Sequence, residues 1–222
     1  MKEAKIKPES TEPDTYVFVD VSNICSSCLK TLSLKIDPYR LLEYFRKKYP
    51  KLRNIYYYEG IARGDTEKQK KFDDLGKAGY TVRPLERKVY IEPPVYKEVK
   101  CKDCKAARRV QVLKKAVKMK SNVDVYLATD LLKLAYLTTK PVRIILVACD
   151  GDYVEMIKTA LETNANVRIE VLATPVVPRV LKADGTYENK NTCSTRLQKL
   201  RGKLQNFAIL NIENIRDLIK QK

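Results

Sequence analysis

Apolar runs of strand length alternate with amphipathic segments along most of this chain. Tyr16–Val21 carries β-branched and aromatic residues with no charge before Asp20, and predicts a buried strand. Apolar residues at 36, 39, 41, 42, 45 and 49 form a helical stripe, and Asp37-Pro38 supplies its N-cap and first-turn proline. Leu52–Ile61 reads as a second strand, and Asp65–Ala78 as a charged helix closed by Gly79. Tyr80–Ile91 reads as a third strand, which Pro84 assigns to an edge or bulge. Beyond Pro93-Pro94 a basic connection leads into helices over 106–118 and 122–137. Strands at Val142–Cys149 and Val167–Ala173 then flank a helix over Asp152–Glu162. Thr174–Asn191, with Pro175, Pro178 and Asp184-Gly185, reads as an exposed insertion. A short basic helix (Thr195–Lys203), a last strand (Phe207–Asn211) and a closing helix (Ile212–Lys220) complete the chain. Such alternation predicts an α/β fold with a mostly parallel central sheet flanked by helices. Residues 1–14, polar and proline-punctuated, read as a disordered arm; 15–222 read as a single domain with insertions at about 92–105 and 174–192.

Two of these strands end abruptly in acid. Asp20 follows Tyr-Val-Phe-Val, and Asp150 and Asp152 follow Ile-Ile-Leu-Val-Ala-Cys. A third segment, Asn122–Asp130, adds Asp124 and Asp130. The carboxyl ends of strands are where sites form in open α/β sheets. At roughly 5 Å and an effective dielectric near 20, two carboxylates repel by about 3 kcal/mol, so an acidic cluster calls for a cation or a retained proton. Oxygen donors of this kind suit Mg²⁺ or Mn²⁺. Each aspartate also has a purely structural use. Asp152 with Glu155 fits a capping box, Asp20 and Asn23 fit a turn or cap, and Asp124 suits a helix N-terminus. Asp124 and Asp130 lie about 240° apart on a regular helix, which weakens Asp124 as a partner of Asp130 in one site.

Composition sharpens this picture. The net charge is +17, and Lys97–Lys120 holds ten Lys or Arg against Glu98 and Asp103. That excess implies a polyanionic partner, nucleic acid before anionic membrane. Histidine is absent, which excludes His general bases, Ser-His-Asp triads and His-ligated zinc. Hydrolysis would then rest on carboxylates with metal, or on Cys, Lys or Tyr. No apolar run approaches the roughly 20 residues that span a bilayer, and no secretory h-region follows the polar start. The expectation is a cytoplasmic protein with no membrane partner; a homodimer stays open.

VFVDVSN, NVDVYLATDLL and ACDGDY, in that order, resemble the motifs of the NYN domain of PIN-like nucleases, in the LabA-like branch. The resemblance implies a PIN-like three-layer α/β/α sandwich and an Mg²⁺- or Mn²⁺-dependent ribonuclease. By matching position, Asp20, Asp130 and Asp150 would be the principal metal-site carboxylates. Asp152 and Asp124 would complete the acidic ring, and Asn23 would orient Asp20 or a substrate phosphate. This sequence departs from the family pattern at Lys120-Ser121-Asn122 (commonly Lys-Gly), at Ala148-Cys149 (Ser-Gly) and at Tyr153 (Phe). Relatives that bind RNA without cutting it make a degenerate RNA-binding adaptor the second reading. An aspartyl phosphohydrolase is third, though Ser22 breaks its signature.

Cys25-Ser-Ser-Cys28 and Cys101-Lys-Asp-Cys104 are C-x-x-C pairs, and together they match the donor set of a Cys₄ zinc site. Disulfides and free thiols are the alternatives. Cys149 reads as core packing. Ser22, Arg63, Arg108, Arg109 and Lys120 are the candidate contacts to RNA phosphates, and Tyr56, Tyr57 and Tyr58 offer stacking faces for bases.

Overall fold

A computed structural model describes residues 12–101, 103–113, 116–176 and 193–221. In chain order its elements are β1 (Asp14–Asp20), α1 (Val21–Leu32), α2 (Pro38–Lys48), β2 (Leu52–Ile61), α3 (Thr66–Ala78) and β3 (Thr81–Glu86). There follow β4 (Lys88–Glu92), β5 (Val95–Lys100), β6 (Ala107–Leu113), β7 (Ala116–Lys120), α4 (Val123–Leu137) and β8 (Val142–Val147). A 3-10 turn at Gly151–Tyr153 leads into α5 (Val154–Thr163), β9 (Val167–Ala173), α6 (Thr195–Gln198) and β10 (Phe207–Asn211). A second 3-10 turn (Ile212–Ile215) and α7 (Arg216–Ile219) end the fold.

The core sheet has six strands in the order β10-β9-β8-β1-β2-β3, each pair parallel. Ile144 through Val147 on β8 are all buried, as a strand covered on both faces requires. Alternation along β1 and β2 sorts side chains between the faces. Phe18 stacks on Tyr56 and Tyr58 on one face, and the Tyr58 hydroxyl reaches α4. Tyr57 points the other way, packing on Phe72 of α3 and on Tyr80. Asp20 shares the parity of Phe18 and therefore lies on the α4 side. This is the expected α/β/α layering.

Four expectations are corrected. Val21–Leu32 is a helix, where the sequence predicts only a turn or cap at Asp20 and Asn23. Its low-propensity residues are overridden by the Asp20 cap and by Val21, Ile24 and Cys28, which recur at helical spacing and are buried. Within 106–118, expected as helix, residues 107–113 and 116–118 lie instead in strands β6 and β7: β7 pairs with β4 and β6 with β5, both antiparallel. The single strand expected over 80–91 is broken at Arg87, whose N–H turns back to Ile61 O at 2.8 Å. The closing segments are shorter than expected, because the 195–203 helix ends at Gln198 and that over 212–220 begins as a 3-10 turn. Residues 1–11 of the expected arm and 177–192 of the expected insertion lie outside the described residues.

Candidate active site

β1 and β8 are adjacent, yet the chain leaves β1 toward β2 on one side and β8 toward β9 on the other. The crevice between their carboxyl ends is the topological switch point, where parallel sheets bind ligands. Asp20 closes β1 and Asp150 follows β8, so the sheet order itself delivers both acids to that crevice.

Asp20 is 4 % exposed and fully engaged. Its Oδ1 accepts the Asn23 N–H at 3.1 Å, capping α1, and its Oδ2 accepts the Tyr153 hydroxyl at 2.8 Å. Burial nevertheless raises its pKa to about 6; the two hydrogen bonds oppose that rise, and nearby Asp124 and Asp150 add to it. Asp124, in the first turn of α4, is likewise held above the usual carboxylate range by desolvation and then by Asp150 and Asp152. Tyr153 is buried at the same place, its hydroxyl pushed up by burial and by Asp20, Asp124 and Asp150. Asp20, Asp124 and Asp150 thus feel one another across the crevice.

The remaining candidates divide. Asp130 accepts the hydroxyl of Tyr58, the register partner of Asp20, at 2.8 Å and pairs with Arg83 at 3.5 Å. Asp124, weakened by helix phase as a partner of Asp130, stands in the first turn of α4, where Asp150 and Asp152 act on it. Asp152 is exposed and pairs with Arg196 at 3.4 Å. The capping role expected of Asp152 falls to Asp150, whose Oδ1 accepts the Asp152 N–H at 3.0 Å. Asn23 accepts the Cys149 N–H on its side-chain oxygen at 2.7 Å and so ties the start of α1 to the end of β8. Ser22 is exposed on the first turn of α1, and Arg63 is exposed in the turn after β2. Lys120 ends β7 opposite Lys88, beside Ser121 and Asn122. Arg108 and Arg109 lie on β6, where Arg109 sits 5.0 Å over the Tyr96 ring. Of the expected stacking tyrosines, Tyr57 and Tyr58 are buried and Tyr56 is half-buried against Phe18.

The four C-x-x-C cysteines are not brought together. Cys28 is buried on α1 and Cys25 half-buried. Burial, then Glu59, pushes the Cys25 thiol up to about 11, and burial with Cys149 and Cys25 raises Cys28 as well. Cys101 and Cys104 are exposed, far along the chain from the core. Among the described residues no three His, Cys, Asp or Glu side chains stand ready around one ion. The donor chemistry at the crevice fits a hard divalent cation all the same, because the groups are all carboxylates. Two of them, Asp20 and Asp124, are raised in pKa by burial and, to a lesser extent, by their acidic neighbours, a repulsion that a cation would relieve.

Two residues of the site escaped the sequence reading. Tyr153 stood only as a Phe replacement, although a hydroxyl beside a buried acid was the signal. Arg196 had none, since its partner is 44 positions away. Gly151 is constrained too: a Cβ there would run into the Ser194 hydroxyl, because the 193–196 segment closes over the Asp150 loop through Ser194 N–H to Cys149 O at 2.9 Å.

No curated protein matches the chain. Among solved structures it is similar to the crystal structure of a protein of unknown function from Vibrio parahaemolyticus, at 17 % identity and a TM-score of 0.55. That superposition covers 96 % of this chain and 99 % of the other, and it shows the shared α/β fold. Among domain families, the NYN domain matches residues 14–188. The matched span runs from the first residue of β1 past the end of β9 and takes in Asp20, Asp124 and Asp150; the protein belongs to the NYN-domain family, within the PIN-like nucleases.

Proposed function

We propose that this protein, of the LabA-like branch, is an Mg²⁺- or Mn²⁺-dependent ribonuclease, acting as an endonuclease on single-stranded or loop RNA. The observation that carries this reading is the meeting of Asp20, Asp124 and Asp150 at the β1/β8 switch point. These three carboxylates would hold the cation, with exposed Asp152 on its solvent side. When bound, the cation supplies Lewis-acid activation of the phosphodiester and of the attacking water. Tyr153 fixes the Asp20 carboxylate through Oδ2, leaving its orientation independent of substrate. Asn23 locks the two strand ends that carry Asp20 and Asp150 to one another. The missing histidine is no obstacle, since carboxylates and cation share the work.

The substrate side is basic. Lys88 and Lys120 are register partners, Lys120 lying just before the acid-bearing α4, and Arg63 follows β2 at the carboxyl edge of the sheet. They would receive phosphates flanking the scissile bond, with Ser22 beside them and Arg108 and Arg109 meeting RNA further along the β5/β6 ribbon. Incubating labelled RNA with Mn²⁺, with EDTA, and with the Asp20→Asn, Asp124→Asn and Asp150→Asn variants tests the reading. Cleavage by the native chain alone, and only with metal, is the expected result. RNA binding without cleavage under every condition would leave an adaptor instead.

A further inference from the structure

Between β3 and α4 the chain runs out as an antiparallel arm, with β4 paired to β7 and, further out, β5 paired to β6. Cys101 and Cys104 occupy its tip. The Cys101 N–H donates to Ala106 O at 2.9 Å and the Lys105 N–H to Cys101 O at 3.0 Å, closing a tight turn. Lys105 completes the turn at φ 56°, a left-handed conformation uncommon for a residue with a side chain. Both cysteines are exposed and unbridged.

A turn of this shape offers two thiolates from one short loop, half of a tetrahedral set. The other half is not supplied within the described residues: no third ligand joins them, and Cys25 and Cys28 lie half-buried and buried on α1. We propose that Cys101 and Cys104 form one half of a Zn²⁺ site that the same two residues of a second copy complete, so that zinc joins two chains through their arm tips.

Symmetry suits this assignment, because a two-fold axis through the ion turns one C-x-x-C pair into the required four sulfurs. Charge suits it as well. Four thiolates and one Zn²⁺ leave a net of −2, and Lys100 and Lys105 flank the cysteines in each copy. The arm also carries an uncovered apolar face. Val89 and Ile91 stand opposite Met119 and Val117 in the β4/β7 register, hence on one face, and all four are exposed. Arms lying side by side with joined tips would set these faces against each other and remove them from water.

The site stands apart from the aspartate crevice and does not depend on the nuclease reading. The experiment measures zinc content and molar mass of the full chain by elemental analysis and sedimentation. One zinc per two chains in a dimer, and monomers after strong chelation with re-formation on adding Zn²⁺, are expected. Cys101→Ser and Cys104→Ser should each lose zinc and dimer together, while Cys25→Ser and Asp20→Asn keep both. Replacement of zinc by Co²⁺ should give the absorption of a tetrahedral tetrathiolate. One zinc per chain in a monomer, a dimer that survives chelation, or zinc retained by the Cys101→Ser, Cys104→Ser double variant would each overturn the proposal. Chelation of the native chain settles the matter even if a variant fails to fold.

Discussion

Tyr153 gives its phenolic hydrogen to Oδ2 of Asp20 across 2.8 Å, joining the turn after β8 to the end of β1 in a buried setting. Asp20 has a second donor, the Asn23 N–H, yet burial still outweighs both and keeps its pKa near 6. The site therefore holds a carboxylate whose ionised form is only partly compensated by the protein, a condition suited to a group that waits for a cation.

Removing the phenol should show its share. Tyr153→Phe leaves Oδ2 without its donor, and a hydrogen bond to a charged group contributes about 1.5–3 kcal/mol. The bond favours ionised Asp20, so its loss should raise the Asp20 pKa further. The variant should therefore lose more stability at pH 8 than at pH 5. Urea denaturation at the two pH values checks this, and an equal loss at both would mean the phenol acts only by packing.

Asp20 itself is expected to limit stability in the absence of metal. Its folded pKa of about 6 stands above the ordinary 3.8, so the folded chain holds this proton more tightly than the unfolded chain. The cost of ionisation is absent below pH 3.8, grows through the interval, and is complete above about 6. That cost amounts to roughly 3 kcal/mol. Asp20→Asn, which can still cap α1, should raise the melting temperature in EDTA at pH 8 and lose that gain as pH falls toward 4. Mg²⁺ should stabilise the native chain at pH 8 more than at pH 5, and the variant at neither.

The aspartates of α4 separate site from scaffold. Asp124→Asn should lower cleavage by roughly 100-fold or more, since one group acting on transition-state charge is worth about 2.7–4 kcal/mol. Asp130→Asn breaks the contacts to Tyr58 and Arg83 and should lower the melting temperature while leaving kcat within about tenfold of native. Single-turnover cleavage beside calorimetry distinguishes them, and the opposite ranking would restore Asp130 to the centre.

Much of this was legible in the chain. The parallel sheet followed from apolar runs of strand length alternating with amphipathic segments, and the crevice from the position of Asp20 and Asp150 at and just beyond the ends of two such runs. α1 was not, because Ser, Asn, Thr and Cys are weak helix formers and its stability comes from the Asp20 cap and three buried residues that only the packed sheet supplies. The arm was misread because alternating Lys/Arg and Val over 107–120 serves a two-stranded ribbon and a basic helix about equally well. Helix phase tells which residues share a stripe, not which turn of the helix meets the sheet edge, and Asp124 stands in the first turn of α4.

Lys88 and Lys120 face one another in register at the base of the arm, Lys120 four residues before Asp124. If they take RNA phosphates, binding is largely counterion release, and log K should fall with log salt by about 0.7 per phosphate on a single strand. Asp20→Asn supplies a chain that binds without cutting, so anisotropy titrations over a range of salt can be read as equilibria. Adding Lys88→Ala should flatten the slope by about 0.7, and adding Lys120→Ala by a similar amount again. Arg53→Ala, at the opposite end of β2 in an ion pair with Asp14, should leave the slope unchanged. The weakening at Lys88 and Lys120 should be uniform across RNA sequences, because phosphate contacts carry no base information. A slope indifferent to both lysines would move the RNA path off the base of the arm and away from the crevice edge they share.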